Sequence, residues 1–342
     1  MAVTLKRIAE LAGVSIGTVD RALHHRSGIK PDVAKRILEI ADSLGYKPNI
    51  MAKALVIKRS NLTIGVIFHV HKNPFYESVM EGINAALESI VDFGISVLVR
   101  QGKDFDADDQ LRLIDELVDE GVNAIVIVPL NDDRIAQRIN KLHADNFPVI
   151  LLSSDLEKAQ RLAYVGCDVF KVGSIAGGLT GIINNGKGNV LYATSHLSML
   201  GNLQRLKGFQ SALQLRYPQI KLVDVCEFDN DDILSYKKAV SIFNSASNID
   251  SIMIATGFLN GIFLAIQESP LAGKVKVIAL DLGQQVIEGL KSSSVIAIIA
   301  QHPYTQGYQA ITALSNYFIS GAAPPQHKCL IPSDIQIYES LF

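Results

Sequence analysis

The feature that most constrains this chain is a regular alternation of short apolar runs with helical stretches, which begins at Thr63 and continues to about residue 301. Amphipathic segments such as 76–92 and 107–120 are predicted as helices between strands. Because continuous apolar strands separated by helices form parallel sheets covered on both faces, we predict an α/β body. Ten strands are predicted: 63–70, 95–100, 123–129, 148–154, 162–168, 189–195, 221–228, 251–257, 275–281 and 295–301. Ten strands are many for one sheet and the pattern restarts near residue 168, which indicates two similar lobes.

The first 60 residues differ from this body in their charge. They hold 11 Lys and Arg residues against 5 Asp and Glu, a formal charge of +6, whereas the rest of the chain carries −8. Such a division is typical of a polyanion-binding head on an acidic body. An ordinary basic surface on a small domain is the alternative.

The head is predicted to contain three short helices. Thr4 caps a first helix within 4–11, and Gly13 permits a tight turn. Ser15 then caps a second helix that runs from Ile16 to Leu23, and a third begins at Pro31 and reaches Leu44. Two helices joined by a turn with Gly inside it form a helix-turn-helix, so the head is all-α.

One face of the second helix points away from the apolar Val19 and is predicted to enter the major groove of DNA. Arg21 can donate two hydrogen bonds to a guanine, while Ser15 and Thr18 suit phosphate oxygens. The candidate DNA-binding residues in the head are Thr4, Ser15, Ile16, Gly17, Thr18, Arg21 and His24.

The individual residues of the head are more informative than its predicted helix-turn-helix shape. The segments LKRIAELAGVSIGTVDRAL and LGYKPNIMAKAL closely resemble the lactose-repressor (LacI/GalR) family of bacterial transcription regulators, over residues 4–59 without gaps. The resemblance implies that Ile16, Gly17 and Arg21 read bases. It also implies a DNA-binding domain, a hinge helix with linker, and an effector-binding domain of the periplasmic-binding-protein type. Their ranges are 1–48, 49–62 and 63–342, with one lobe formed by 63–167 and 302–330 and the other by 168–301 and 331–342.

Within the hinge, Asn49 is expected to cap a helix too short to be stable alone. In the resembled family this helix folds on DNA and enters the minor groove, where a Leu wedges between base steps. Leu55 occupies that position, and Ala52 belongs to the same DNA-contacting set. Packing of Leu55 under the next domain is the alternative.

The carboxyl ends of the predicted strands are polar, and in open α/β sheets these ends bind ligands. Aromatic plates surrounded by neutral or acidic hydrogen-bonding groups suit a sugar or polyol. The resemblance also places Arg205 at a position that contacts ligand. For each residue a structural role, such as capping a strand end, is the alternative. The candidate effector-binding residues are Asn73, Phe75, Tyr76, Ser153, Ser154, Arg205, Phe228, Thr256, Asp281 and Gln301.

Rival chemistries find little support in the sequence. There is no GxGxxG, GxxxxGK[ST] or GxSxG motif, and the three Cys residues are isolated. His69 and His71 share a strand face and could hold a metal, but such a pair is usually incidental. We therefore expect no metal, no cofactor and no enzymatic activity.

The sequence thus predicts a ligand-responsive transcription regulator, most simply a repressor. Its expected partners are double-stranded operator DNA, a second copy of the chain and a small-molecule effector. No apolar run reaches about 18 residues and the start does not read as a signal peptide, so we expect a cytoplasmic protein with no membrane association. The alternatives are the solute-binding protein of a sugar transporter, or a sugar-acting enzyme on the same scaffold.

Overall fold

The computed structural model describes the head and most of the body. The described residues are 4–23, 28–46, 61–70, 73–228, 231–245, 248–257, 260–281, 283–321 and 323–341. Among them, no helix is long and apolar enough to cross a membrane.

The head is a three-helix unit with its own core. Its helices are α1 (Leu5–Ala12), α2 (Ile16–Leu23) and α3 (Pro31–Ser43). Ile8, Val19 and Ile37, one from each helix, are fully buried at the centre. Gly13 ends α1 with a φ of 63°, so the left-handed turn predicted there is confirmed. The guanidinium of Arg36 donates to the Ala12 carbonyl over 2.6 Å and thereby ties α3 to the end of α1.

The body contains twelve strands within the described residues. They are β1 (Thr63–Phe68), β2 (Ser96–Gln101), β3 (Ala124–Ile127), β4 (Val149–Leu152), β5 (Ala163–Gly166), β6 (Lys187–Thr194), β7 (Gln219–Glu227), β8 (Ser251–Ala255), β9 (Lys276–Leu280), β10 (Val295–Ala300), β11 (Lys328–Leu330) and β12 (Asp334–Gln336).

Helices alternate with these strands along the chain. They are α4 (Pro74–Ser89), α5 (Ala107–Asp119), α6 (Asp133–Ala144), α7 (Val169–Ile183), α8 (Leu200–Arg216), α9 (Asp232–Ser245), α10 (Asn260–Glu268), α11 (Gln284–Lys291), α12 (Pro303–Ser320) and the short α13 (Tyr338–Leu341), with a 3₁₀ turn at Val91–Phe93.

The strands form two six-stranded sheets, which define a first and a second lobe. The first sheet has the order β11-β5-β4-β3-β1-β2 and its paired strands are parallel. The second has the order β12-β10-β9-β8-β6-β7, with only β12 antiparallel to its neighbour. The fold-class prediction of a two-lobed α/β body behind a helical head is confirmed.

Close helix crossings brace each lobe at glycines. A Cβ built on Gly82 of α4 would lie 1.9 Å from the Tyr304 carbonyl oxygen, and one on Gly307 of α12 would lie 2.0 Å from the Val79 oxygen. In the second lobe, a Cβ on Gly173 of α7 would lie 1.8 Å from the Arg205 oxygen. These backbones touch where any larger residue would force them apart.

The chain passes between the lobes at three crossovers, around residues 167–168, 301–302 and 331–333. The first and third are joined by the Ile331 amide, which donates to the Gly166 carbonyl over 2.9 Å. His302 in the second crossover adopts a left-handed φ of 54° and pairs with Asp334 near the third. The three crossovers are therefore joined to one another by these bonds.

All ten predicted strands are present, but β11 and β12 were missed. Each has three residues and exposed or half-buried side chains, so neither carries the apolar run that predicts a buried strand. The third helix also ends at Ser43, one residue before the predicted end.

Candidate functional site

The exposed face of α2 is the candidate nucleic-acid surface. Ser15 begins the helix, because its hydroxyl accepts from the Thr18 amide over 3.1 Å and lies 2.9 Å from the Thr18 hydroxyl. Ile16, Gly17 and Arg21 are exposed on the side opposite buried Val19. Ile16 keeps 49% of its surface in water, which is a large apolar exposure on so small a helix. The geometry leaves this face open to a partner.

The remaining predicted DNA contacts divide into two groups. Thr4 caps α1 by accepting from the Arg7 amide over 3.3 Å, and it is exposed. His24 and the hinge residues Asn49, Ala52 and Leu55 lie outside the described residues.

In the body, a cavity of about 280 Å³ lies between the two lobes. The beginnings of α4, α8, α9, α10, α11 and α12 contribute to its walls, together with strand ends from both sheets. This is the edge at which parallel α/β sheets bind ligands, because strand carboxyl ends and helix amino ends meet there.

Aromatic rings form one wall of the cavity. Phe75 and Tyr76 meet edge to face with centroids 5.4 Å apart, and Tyr76 stacks on Phe68 at 5.0 Å. Burial strongly raises the pKa of Tyr76, so its hydroxyl stays neutral. Asn73 caps α4 by accepting from the Phe75 amide over 2.9 Å, which fixes the start of this aromatic segment.

A second ring cluster spans the two lobes. Phe105 of the first lobe lies 4.1 Å from the ring centre of His196 in the second, and His69 packs against Phe105 at 5.3 Å. Burial, with the nearby His196, lowers the pKa of His69 to about 3, so its imidazole is neutral near pH 7. His69 and Phe105 line the cavity, and the His69 ring there is uncharged.

The polar floor is organised around Gln301. Its backbone amide donates to Asp281 Oδ1 over 2.7 Å, and its side-chain Nε2 donates to Asp281 Oδ2 over 2.6 Å. Arg205 Nη2 in turn donates to Gln301 Oε1 over 3.1 Å, and Arg205 Nη1 donates to Asn202 Oδ1 over 3.0 Å. Burial raises the pKa of Asp281, while the bonds from Gln301 and the Arg205 charge oppose that rise.

Two buried polar atoms at this floor have no hydrogen-bond partner in the described part of the chain. They are Arg205 Nε and Ser154 Oγ, on residues that are 8% and 5% exposed. Unsatisfied buried donors cost free energy, so both atoms favour a polar group brought by a ligand or a water.

The lobes also approach each other directly beside the cavity. A Cβ on Gly257 of the second lobe would lie 3.0 Å from Asn73 Oδ1 of the first. Gln204 Nε2 donates to Glu157 Oε1 across the same boundary over 3.3 Å. At Gly257 the lack of a side chain lets the two lobes approach this closely.

Nine of the ten predicted effector residues line this cavity: Asn73, Phe75, Tyr76, Ser153, Ser154, Arg205, Thr256, Asp281 and Gln301. Phe228 does not, because its ring is 1% exposed and packs in the second lobe's core beside Phe243. Phe228 directly follows the last residue of β7 and lies two residues beyond Cys226, and both side chains are buried. His71 lies outside the described residues.

The sequence reasoning missed several cavity residues. Phe105 lies in a loop, Ser195 follows β6, and Asn202 and Gln285 lie in the first turns of helices. The polar residue after β6 was a usable signal, because its strand had been predicted. The others depend on how loops and helices pack. Among the described residues, no group of three or more His, Cys, Asp or Glu gathers to hold a metal ion.

Comparison with known proteins assigns both parts of the chain. The family described as bacterial regulatory proteins, lacI family, matches residues 4–49, and the periplasmic binding protein domain matches 64–322. Catabolite control protein A of Priestia megaterium is 27% identical over 62% of this chain and 61% of its own length. The Streptococcus mutans protein of that name is 24% identical over 78% of each chain. The probable repressor ExuR of Bacillus subtilis is 31% identical over 45% of this chain and 44% of its own length.

The chain spans less than two thirds of the length of two of these three relatives. Solved structures resemble the body. GanP, a glucose-galactose binding protein from Geobacillus stearothermophilus, is 21% identical with a TM-score of 0.74, over 82% of this chain and 98% of its own. A solute-binding protein from Burkholderia graminis, in complex with D-arabinose, is 20% identical with a TM-score of 0.75, over 82% and 96%. At this identity the likeness establishes the fold.

Proposed function

Since this chain belongs to the lacI family of bacterial regulatory proteins and carries a periplasmic-binding-protein domain, we propose that it is a ligand-responsive DNA-binding transcription regulator. The observation that carries this proposal is the union, in one chain, of a helix-turn-helix head with an open recognition face and a two-lobed body with a polar cavity. The relatives named above are themselves control proteins and a repressor.

On DNA, α2 lies in the major groove with Ile16 and Arg21 towards the base edges. Arg21 donates to a guanine, while Ser15, Thr18 and Thr4 approach phosphates near the helix starts, where the positive end of the helix dipole attracts them. Asp20 on the same helix disfavours contact with the phosphate backbone and suits a cytosine amino group. His24, Asn49, Ala52 and Leu55 complete the proposed contact set.

The effector of this regulator is a sugar or polyol that occupies the cavity. Phe75 and Tyr76 offer faces for the apolar side of a sugar ring. Asp281, Gln301, Asn73, Thr256 and Ser153 offer neutral or acidic hydrogen-bonding groups for hydroxyls. The volume of about 280 Å³ lies at the lower limit of small-molecule pockets, about 300 Å³, and fits one monosaccharide.

Arg205 and Ser154 are the polar groups with the most to gain from such a ligand. A sugar oxygen beside Arg205 Nε and Ser154 Oγ supplies the partner that both atoms lack in the described part of the chain. Sugars bound by two of the structural neighbours, glucose or galactose and D-arabinose, are reasonable first probes.

Regulation follows if the effector changes the angle between the lobes. The three crossovers allow that change, and the hinge helix and linker, residues 49–62, carry it to the head. The effector and the operator then alter each other's binding affinity by the same factor. A repressor released by an inducer is the proposed arrangement. One head reads one half-site, so a homodimer on a pseudo-palindromic operator is proposed, acting in the cytoplasm. No reaction is proposed for the cavity.

The experiment starts from the full chain and does not require a known operator. A selection from random duplexes is expected to yield a pseudo-palindromic site whose binding weakens as salt rises. A melting-temperature screen with D-glucose, D-galactose, D-arabinose, D-ribose and polyols identifies the effector class, because a ligand at about 100 times its Kd adds about 2.7 kcal/mol. Sugar binding without any DNA selection would favour the alternative, a solute-binding protein.

A further inference from the structure

Gln306 is a buried amide on the first turns of α12 that the cavity does not expose. Only 1% of its surface is accessible, and its side chain makes contacts with three separate parts of the chain. Its Oε1 accepts from the Ser153 hydroxyl over 2.7 Å. Its Nε2 donates to the Gln301 carbonyl over 2.9 Å and lies 3.8 Å from the Cys167 sulfur.

Two of these three partners lie in crossovers, where movement of one lobe against the other must be absorbed. Cys167 lies in the first crossover and Gln301 in the second, and the Cys167 thiol donates to the same Gln301 carbonyl over 3.3 Å. Ser153 lies at the end of β4 in the cavity wall, with a left-handed φ of 60° that a non-glycine residue adopts only when held. Gln306 holds all three from one helix.

The contacts continue into the second lobe without a break. Gln301 binds Gln306 through its carbonyl, and it binds Asp281 and Arg205 through its amide and side chain. A force on the Gln301 side chain from a ligand therefore acts on the same residue that Gln306 fixes. The path runs from Ser153 in the first lobe to Arg205 in the second.

An apolar side chain of similar length would fill the same volume, so packing does not require an amide here. It would leave the Ser153 hydroxyl and part of the Gln301 carbonyl without their partner in a buried region. The amide is thus explained by the connection that it makes.

We propose that Gln306 is a positioning residue that couples the ligand cavity to the crossovers between the lobes. It keeps Ser153 and Gln301 at fixed places in the cavity wall, and it carries movement of Gln301 to both crossovers. The coupling role rests on the proposed function, whereas the structural connection does not.

Hydrogen–deuterium exchange of the full chain tests the connection without any ligand. The variant is Gln306→Met, and the reporters are the amides of Ser153, Gln301 and Ile331, which bond to Val165, Asp281 and Gly166. We expect exchange at these amides to become about tenfold faster, the effect of losing one buried hydrogen bond. Reference amides Ile125 and Val128, in the first lobe's core, correct for any global loss of stability.

The matched control is Ser315→Ala on the same helix, since Ser315 is 2% exposed and its hydroxyl has no partner in the described residues. It should leave the three reporter amides unchanged. Should Gln306→Met fail to fold, Ser153→Ala removes one arm of the connection at the cost of a hydroxyl. It should speed exchange at Gln301, far away in sequence, as well as at Ser153. Unchanged reporters, or equal acceleration at the reference amides, would overturn the proposal.

A second arm separates this role from the proposed function. D-Arabinose, D-glucose, D-galactose and D-ribose are added to the wild-type chain and to Gln306→Met. A sugar that raises the wild-type melting temperature should slow exchange at Ile331 in the wild type and not in the variant. Equal slowing in both chains contradicts the coupling. If none of the four sugars raises the melting temperature, sugar binding is contradicted, while the exchange without ligand still decides the connection.

Discussion

Arg205 is a buried cation whose side-chain hydrogen-bond partners are neutral. We therefore expect even a conservative substitution of Arg205 to alter the proposed ligand site. Its guanidinium donates to Asn202 and Gln301, and its Nε has no hydrogen-bond partner among the residues that the structure describes. The planar fork of donors can meet these two acceptors and the proposed ligand at once, which a lysine cannot do. If Arg205 binds the proposed sugar, the affinity depends on the planar shape of its guanidinium as well as on its charge.

We predict that Arg205→Lys weakens binding of a stabilising sugar by about 10- to 100-fold, because charge-assisted buried bonds contribute about 1.5–3 kcal/mol. The measurement is the Kd of that sugar by calorimetry. Arg216→Lys at the end of the same helix, over the Tyr217 ring, is the control and should bind as the wild type does. If Arg205→Lys binds the sugar with the wild-type affinity, Arg205 does not hold the sugar as proposed.

Because burial lowers the pKa of His69, we predict that the stability of the fold depends on pH. Its unfolded pKa is about 6.5, and its folded pKa is about 3. Between these values the unfolded chain binds a proton that the folded chain does not, so stability falls as pH drops below about 6.5. From pH 7 to 5 the loss is about 2 kcal/mol.

Urea unfolding of wild type and His69→Gln at pH 7 and 5 measures this term. The variant is expected to be less stable at pH 7 but to lose about 2 kcal/mol less on acidification. His143→Gln, at an exposed position of α6, is the control substitution. Identical losses in wild type and His69→Gln would show that burial of His69 does not set the acid sensitivity.

Single residues were predictable where a strand end fixed them. Asn73, Thr256, Asp281 and Gln301 all follow or border strands with strong apolar runs. Phe228 was placed in the cavity because it ends a predicted strand, yet the two-residue period shared with Cys226 indicates an inward side chain. Phe105 carries no such local signal, because its place depends on the fold of a loop.

At the scale of elements, glycines decide how closely helices cross. Gly173 lets α7 touch the backbone of α8 at Arg205. This crossing therefore also fixes the backbone position from which the proposed ligand-binding side chain of Arg205 extends. The same arrangement recurs at Gly82 and Gly307 in the first lobe. The apolar periodicity predicted the helices, but which glycines make contacts depends on the crossing of two distant segments.

We predict that Gly173→Ala destabilises the chain by about 3 kcal/mol, since the obstructing atom is backbone and cannot rotate away. Gly178→Ala on the same helix is the matched control, because a Cβ there meets no atom within 4 Å. It should be neutral or stabilise by up to about 1 kcal/mol. Urea unfolding compares the two, and equal effects would contradict the crossing as described.

Strands were predicted wherever an apolar run was long enough to be buried on both faces. β3 and β4 are four-residue strands with every residue buried, and both were found. β11 and β12 escaped because three residues with polar neighbours carry no periodic signal. They complete the sheet edges only after the crossovers bring them there.

At the scale of the whole molecule, the described surface leaves apolar side chains in water on two helices that pack together. Ile233, Leu234 and Leu264 are 65%, 51% and 46% exposed on α9 and α10. A homodimer is proposed for other reasons, and this face of the second lobe is where we expect the two copies to meet.

The pair Ile233→Asp and Leu264→Asp is therefore expected to give a monomer at concentrations where the wild type is dimeric. Light scattering coupled to gel filtration measures the mass. Leu215→Asp, at an 81% exposed apolar residue on α8, is the control and should leave the mass unchanged. A dimer that survives the double substitution would place the interface elsewhere.

The division into a basic head and two repeating lobes was visible in the sequence, because charge and apolar runs change where the domains change. The way in which the lobes exchange segments was not derivable from periodicity. Residues such as Gln306 and Cys167 meet only because the crossovers lie side by side. Their separation along the chain therefore could not have predicted the contact.

The measurement that tests the central claim most directly is a titration of the selected duplex with the full chain, followed by fluorescence anisotropy, with and without a saturating sugar that raises the melting temperature. A regulator released by its effector should bind at least about tenfold more weakly with the sugar, a coupling of about 1.4 kcal/mol. Tighter binding would identify a corepressor. Failure to select any duplex, or an affinity that the bound sugar leaves unchanged, would contradict a ligand-responsive regulator.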